Sequence, residues 1–578
     1  MIDLLSQLKI WRKKEQISIQ EMEFARFLHE FDAGDHIHVL IGASCFSAHL
    51  NGHICIDIDE AINHPVYGSI LKSVDKDTIY NSVAGSKLVG DGSTLTPLVM
   101  DENRVYLHKF WKFEQELADW LNLKSQKTNT ISNETEKFVQ SLFDHSEAGT
   151  DWQKIAVLIS IVKDLVIISG GPGTGKTFTI QKIIDALSFA NPDGYSIALA
   201  APTGKAAQRL TESLILEKYD HVENPVTIHK LLGAKGESGQ FQYNEKNPLP
   251  FNAVIVDEAS MLDITLWIRL IRAIPEESKL VVLGDKNQLA SVEAGSILGD
   301  ICLYAENHFS DEIGSQLQEL SSSVESASAF NDSIVLLKKN YRFSRGSGIQ
   351  LLAEAINRGD DNEVINLLTS DEYPELMMEE PTNEVVESLI AKYVTKPFNS
   401  DQSKEDKFAA FNEFQLLCAL RKGPYGVNVI NSKAEKEIKR SHSIPNSQYW
   451  YGGRAIIMTK NSRSLKLKNG ETGICIETEE GPKIEFEGRE DPVQVSRLEH
   501  YEPAYATTVH KSQGSEYDHV AIVLSNTSNR VLSRQLLYTS VTRARKSVLV
   551  VGSTSVISST VQQSIVRRSG LRNRIWGE

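Results

Sequence analysis

The stretch GGPGTGKT, Gly170 to Thr177, constrains this chain more than any other feature: it fulfils GxxxxGK[ST] and stands between an apolar run, LVIIS, and a helical one, FTIQKIIDAL. A strand, a glycine-rich turn and a helix in that order close backbone N–H groups around phosphate at a helix N-terminus. Gly170, Gly171, Pro172, Gly173, Thr174 and Gly175 would form the cradle for ATP. Lys176 would reach the β- and γ-phosphates, and the Thr177 hydroxyl would bind Mg2+. The fold class that follows is α/β, with ligand bound at the carboxyl edge of a parallel sheet.

Further apolar runs end in Gly, Pro or Asp and alternate with helical stretches. SIALAAPTG, AVIVDEAS and KLVVLGD come first; FQLLCAL, HVAIVLS and SVLVVG follow much later, with the helical RQLLYTSVTRAR among them. Such runs predict strands buried on both faces of parallel sheets. Two α/β lobes are therefore expected, a first over 138–335 and a second over 336–440 and 504–578. Between the parts of the second, at 441–503, GGRAIIMTKN, NGETGICIE and PKIEFEG alternate and are punctuated by glycine, predicting a small inserted β-barrel. Residues 1–125 mix a helical pattern, QEMEFARFLHEF, with segments that read as short strands, HVLIGAS, HICIDID and RVYLHKFW, so an N-terminal α+β domain is expected there. KSQKTNTISNETEK (124–137) reads as a linker or an approach to a helix, and SDEIGSQLQELSSSVESASAFNDS and NSDQSKEDK as mobile connections without structure of their own. A chain of 578 residues exceeds what one core supports.

The chemistry around the loop is legible from strand ends. Asp257 and Glu258 close AVIVDEAS, where the first carboxylate can hold Mg2+ and the second can orient and deprotonate the attacking water. Gln288, in LGDKNQL, can place an amide on the γ-phosphate. Gln153, ahead of the loop strand, is a candidate for recognising adenine. Transfer of the phosphoryl group also needs positive charge, and Arg342 in KKNYRFS and Arg543 in YTSVTRARKS, both outside the first lobe, are the candidates.

Other classes recede. Cys45, Cys55, Cys302, Cys418 and Cys475 are dispersed without a CxxC pair, fitting reduced buried thiols better than a disulfide frame or metal site. His49 and His53 lie near the first two, but GHICIDID alternates like a half-buried strand. The amino terminus lacks the layout of a signal peptide, and no apolar stretch approaches the roughly twenty residues that span a bilayer, so a cytoplasmic location is expected. A net charge of −15 argues against a generally basic surface, while leaving room for a confined positive channel.

Taken in order, GGPGTGKT, APTGKAAQRL, TIHKLLG, VDEASM, LGDKNQLASVEAG, KNYRF, VHKSQGSEYD and LLYTSVTRAR resemble the motifs of superfamily 1 helicases. In detail they are similar to the RecD-type alpha subunit of exodeoxyribonuclease V, the RecBCD recombination complex. The likeness covers about residue 150 to the end. It implies two RecA-like P-loop NTPase lobes and an SH3-like 441–503 module of the 1B branch. It also implies 5′-to-3′ translocation on DNA, with single strands and duplex ends as substrates and RecB-like and RecC-like subunits as partners in a heterotrimer. On residues, it implies that Thr203, Lys205, Thr227, His229, Thr508, His510 and Ser512 face the DNA strand. Gly514 and Glu516 would face the nucleotide, and Tyr341 would stack on adenine beside Arg342.

Rival readings are a free-standing RecD-like helicase, which carries a longer N-terminal extension, a 1B helicase acting on RNA, and an architectural subunit that binds nucleotide without translocating. A nuclease within the chain finds no acidic metal set beyond the ATP site, EFEGRED reading more simply as an exposed strand and turn. Residues 1–125 carry no phosphate-binding or stacking signal and are expected to dock partners.

Overall fold

The computed structural model describes residues 3–32, 36–143, 150–192, 194–236, 239–291, 293–317, 329–342, 346–394, 403–462, 464–527 and 529–577. Among them are four sheets.

The first parallel sheet has six strands in the order Ile334–Leu337, Leu165–Gly170, Lys279–Gly284, Ala253–Val256, Ile197–Ala201 and Val226–Thr227. Its central strands are buried on both faces, which is why they read as unbroken apolar runs: Leu165 and Ile167 point into one core, Val166 and Ile168 into the other. The second parallel sheet has five strands, Leu376–Glu379, Ala544–Val551, Tyr517–Val523, Phe414–Cys418 and Ala506–Thr508 in that order. It too has a core on each face, with Leu417 and Ile522 on one side and Leu416 and Ala521 on the other. Residues 455–503 form a five-stranded antiparallel sheet with its own core of Ile456, Met458, Cys475, Ile484 and Phe486.

The N-terminal region holds a four-stranded sheet, Cys55–Asp57, Arg104–Leu107, Leu98–Asp101 and Val89–Gly90, packed with helices. Three expectations here are corrected. HVLIGAS is not a strand; it lies in the helix His36–Leu50, whose residues from His38 to Cys45 are all buried. A helix enclosed on every side loses its 3.6-residue apolar rhythm, and the bare run then looks like a buried strand. HICIDID and RVYLHKFW are strands only over Cys55–Asp57 and Arg104–Leu107; Asp57 and Leu107 are the N-caps of the helices Ile58–Ile62 and His108–Gln126. Within 124–137, the second helix ends at Gln126 and another, Asn133–Ser141, is capped by the Ser132 hydroxyl.

The connections expected to lack structure are ordered at their described ends. Asp311–Gln316 is a helix that buries Ile313 in a core of the first sheet, and Lys404–Glu413 is a helix that buries Phe408. Residues 318–328 and 395–402 lie outside the described residues.

The chain end returns across the molecule as a strap. The Ile54 N–H donates to the Arg568 carbonyl at 2.9 Å. Glu114, with no exposed surface, accepts from the Ser569 hydroxyl at 2.9 Å and from the Gly570 N–H at 3.0 Å. The helix Leu571–Trp576 then sends the Trp576 indole N–H to the Asp300 carbonyl of the first lobe at 3.4 Å.

Candidate functional site

The loop strand Leu165–Gly170 ends where the sequence places the phosphate cradle, and the helix Lys176–Ala190 starts from Gly175. Gly173 and Gly175 have φ of +83° and +78°, a region that costs other L-residues about 1–2 kcal/mol. A Cβ on Gly173 would stand 2.6 Å from the Arg342 Cβ, so the loop is closed by backbone approach as well as by turn geometry. Asn340 pins it from the side: its amide donates to the Pro172 carbonyl at 2.9 Å, and the Tyr341 N–H donates to the Gly173 carbonyl at 2.7 Å.

A cavity of about 510 Å3 opens between the two parallel sheets. From the first lobe it is lined by Pro172, Gly173, Gly175, Lys176, Thr177, Asp257, Glu258 and Gln288; Tyr341 and Arg342 enter from the connection that leaves the strand Ile334–Leu337; and Gly514, Glu516 and Arg543 come from the second lobe. Lys176 Nζ lies within the cradle, donating to the Gly170 and Gly171 carbonyls at 2.7 and 3.2 Å. Thus the phosphate-binding, acidic and basic candidates, separated by up to several hundred residues, share one wall-to-wall space.

Asp257 and Glu258 follow the strand Ala253–Val256 directly. Glu258 holds φ +54°, left-handed backbone in a non-glycine residue, a strain concentrated at functional sites. Asp257 Oδ1 accepts the Glu258 N–H at 2.8 Å. Burial, and then the neighbouring Glu258 charge, push the Asp257 carboxyl up to about 6. A second carboxylate behind it, Asp285, is also raised by burial; its Oδ2 accepts from the Tyr538 hydroxyl at 2.9 Å and the Gln288 amide at 3.1 Å. Asp257 and Thr177 line the same cavity, and a carboxylate with a hydroxyl offers oxygen donors suited to a hard divalent cation such as Mg2+.

Opposite them Glu516 gathers cations. Arg342 is 2.5 Å away, Arg209 and Arg545 3.1 Å. Burial alone would raise this carboxyl, but Arg209, Arg342, Arg545 and Arg543 together hold it at about 2. Arg543 is buried and donates to the Thr539 carbonyl at 3.1 Å and the Ser515 carbonyl at 3.3 Å. The lobes are further joined where the Gln513 amide donates to the Leu289 carbonyl at 3.0 Å and the Leu289 N–H to the Thr539 hydroxyl at 2.9 Å.

The strand-contacting candidates sit away from this cavity, at the ends of strands at or next to a sheet edge. Thr203 follows Ile197–Ala201, Thr227 ends Val226–Thr227 and Thr508 ends Ala506–Thr508. Each threonine caps the helical turn after it, accepting from the N–H of Ala206, Lys230 and Lys511 respectively. Lys205 is half-buried on the first of these helices, and His229 is exposed on the second. The antiparallel sheet reaches the same edge: a Cβ on Gly204 would meet the Lys468 side chain at 2.6 Å. His510 is half-buried, its pKa lowered by burial and by Arg567.

Two candidates are placed differently from expectation. Ser512 is fully buried and its hydroxyl donates to the Val509 carbonyl at 2.8 Å, so it closes a 3-10 turn instead of facing a groove. Gln153 is buried behind the loop, its amide donating to the Thr174 carbonyl at 2.9 Å and the Gly175 carbonyl at 3.4 Å. It braces the cradle, and it does not line the cavity. Tyr341 is half exposed with Lys339 above its ring. Sequence reasoning missed Arg209 and Tyr538, although both fall inside quoted motifs, APTGKAAQRL and LLYTSVTRAR; nothing in a motif tells which side chain crosses to the other lobe. Cys45 donates its thiol to the Val105 carbonyl, and among the described residues no three His, Cys, Asp or Glu side chains gather to hold a metal.

Comparison with known proteins gives three family models that match: an AAA domain over residues 153–294, a UvrD-like helicase C-terminal domain over 503–551, and the N-terminal domain of RecBCD enzyme subunit RecD over 13–106. The RecBCD enzyme subunit RecD of Buchnera aphidicola subsp. Schizaphis graminum is 31% identical over 96% of this chain and 98% of its own length. The ATP-dependent RecD2 DNA helicase of Deinococcus radiodurans is 27% identical over 82% of this chain, which spans 59% of that protein. Among solved structures, a Bacteroides Pif1 helicase in complex with ADP-AlF3 and ssDNA is 18% identical with a TM-score of 0.37, over 73% of this chain and 92% of its own.

Proposed function

The chain belongs to the family of RecBCD enzyme RecD subunits, and from that premise we propose that it is an ATP-dependent DNA helicase that moves 5′ to 3′ along one strand as the alpha subunit of a helicase–nuclease complex, with nuclease chemistry on a partner. The observation that carries the reading is the shared cavity, in which Lys176, Asp257, Glu258 and Gln288 of one lobe face Gly514, Glu516 and Arg543 of the other.

Lys176 and the cradle N–H groups hold the phosphates, and Thr177 and Asp257 would hold a Mg2+ ion, which would supply positive charge to the phosphoryl oxygens. Glu258 orients and deprotonates water, and Gln288 reads the γ-phosphate. Arg342 and Arg543 supply the positive charge that phosphoryl transfer demands from across the lobe junction. Gly170, Gly171, Pro172, Thr174 and Gly175 complete the cradle, with Gln153 behind it and Tyr341 against the base. Thr203, Lys205, Thr227, His229, Thr508 and His510 grip phosphate and sugar, as a sequence-indifferent motor requires. ATP-driven closure of the lobes then shifts one grip relative to the other. The module at 441–503 is read as SH3-like, residues 1–125 as the docking surface for RecB-like and RecC-like subunits, and the location as cytoplasmic; no helix among the described residues is long and apolar enough to cross a membrane.

The subunit is preferred to a free-standing helicase because the model of the RecD N-terminal domain matches residues 13–106 and a RecD subunit is 31% identical over 96% of this chain, against 27% over 82% for the RecD2 helicase. The test is ATP hydrolysis and unwinding by the full chain on duplexes carrying a single-stranded 5′ or 3′ tail, with matched RNA. Stimulation by DNA and preference for the 5′ tail are expected. Preference for the 3′ tail overturns the polarity, and equal use of RNA overturns the substrate class.

A further inference from the structure

Both lobes contain an element that runs from the strand-gripping edge to the nucleotide cavity. In the first lobe it is the helix Gly204–Ser213: Thr203 and Lys205 stand at its start, and Arg209, Leu210, Glu212 and Ser213 line the cavity further along. In the second it is the strip from Thr508 to Glu516, beginning at the end of an edge strand and finishing in the same cavity. The two elements meet at one side chain. Arg209 Nη1 donates to the Gly514 carbonyl at 2.8 Å, and its Nη2 lies 3.1 Å from Glu516 Oε2. The backbones are close there as well, since a Cβ on Gly514 would rest 3.5 Å from the Ala206 Cβ.

We propose that Arg209 is a positioning residue that couples the two ligand sites: by holding Gly514 and Glu516 it ties the strand-gripping strip of the second lobe to the phosphate side of the cavity on the first. Several features of the contact fit that role. Glu516 divides itself among Arg209, Arg342 and Arg545, so a change in the partner of any one guanidinium redistributes the carboxylate among the others. A triphosphate cradled by Lys176 brings a competing anion to the wall Arg209 lines, and planar guanidinium groups exchange between carboxylate and phosphate with the same two-pronged geometry. The bond to the Gly514 carbonyl uses the other guanidinium nitrogen and keeps the helix and the strip in register while that exchange occurs. Gly514 also has φ +73°, so the strip is bent at the point Arg209 grasps.

This inference rests on the reading of the chain as an ATP-driven DNA motor. Its test measures the affinity of a fluorescent non-hydrolysable ATP analogue with Mg2+ for the full chain, with and without an oligothymidylate. The ratio of the two dissociation constants is the coupling, typically about 5- to 150-fold for linked sites. Arg209→Ala is expected to bring that ratio to within about twofold of unity, and Arg209→Lys to recover part of it. Glu516→Ala combined with Arg209→Ala should fall no further than the stronger single variant. Arg209→Gln, whose planar amide keeps a donor, serves if the alanine variant melts early. The inference is overturned if Arg209→Ala weakens analogue binding by one factor whether or not DNA is present, or if the two single effects multiply. A wild-type ratio of one would instead remove the motor reading, so the two failures are distinguishable.

Discussion

Glu258→Gln isolates one charge at the reaction centre. The substitution keeps side-chain length, and the backbone bond from the residue 258 N–H to Asp257 Oδ1 at 2.8 Å survives unchanged. The left-handed φ of +54° costs glutamine about what it costs glutamate, roughly 1–2 kcal/mol in both, so folding should be little altered. What is lost is the general base. A positioned base contributes about 10²–10⁴ in rate, so DNA-stimulated turnover should fall at least about a hundredfold, or about 2.7 kcal/mol of barrier, while ATP binding persists. A second readout comes from the neighbour. Asp257 is raised to about 6 by burial first and by the Glu258 charge second. A carboxyl raised in this way is protonated below about pH 6, so Mg2+-dependent ATP binding should weaken as pH falls through that value. Removing the Glu258 charge deletes the second cause and leaves the first, moving that midpoint to lower pH without returning it to 3.8, the ordinary aspartate value. Steady-state ATPase and a pH series of nucleotide binding measure both. Near-normal turnover rejects Glu258 as the base, and an unmoved or rising midpoint rejects the electrostatic account of the pair.

Gly173→Ala should lower ATP affinity by about tenfold or more, since the new Cβ combines a left-handed φ with a 2.6 Å approach to the Arg342 Cβ; binding within twofold of wild type would show that the loop relaxes freely. His510→Ala should reduce stimulation by DNA more than basal hydrolysis, whereas equal loss of both would make it a structural histidine. Glu114→Ala removes a fully buried acceptor from the Ser569 hydroxyl and the Gly570 N–H and should cost about 1–3 kcal/mol in denaturant unfolding; a loss below about 0.5 kcal/mol would show that water replaces it.

The parallel sheets were legible because burial on both faces leaves a plain mark. Runs such as LVIIS and AVIV contain nothing that water could touch, and the residues after them, Gly170 and Asp257, fall where the strands stop. The same signal misled at HVLIGAS, where a helix enclosed by its neighbours is equally apolar. Short helices inside expected strands, as at Ile58–Ile62, start while the alternation still runs, and Asp57 at the boundary makes no side-chain capping bond that would mark the change. At the site, identities were readable and orientations were not. Ser512 and Gln153 have the chemistry their expected roles need, but their hydroxyl and amide are committed to the Val509, Thr174 and Gly175 carbonyls. Arg209 could not be singled out because its importance lies in a partner, Glu516, some three hundred positions away.

The C-terminal strap has a consequence for how the molecule comes into being. Domains generally fold in the order in which they leave the ribosome, yet Glu114 and Ile54 take partners from residues 568–570, made after both parallel sheets. Until those residues emerge, the N-terminal layer carries a carboxylate with the Tyr106 hydroxyl but without its Ser569 and Gly570 donors, and an Ile54 N–H without its acceptor. Its completion therefore waits for the second lobe, and a chain stopped before residue 568 would have both parallel sheets but an unsealed N-terminal layer.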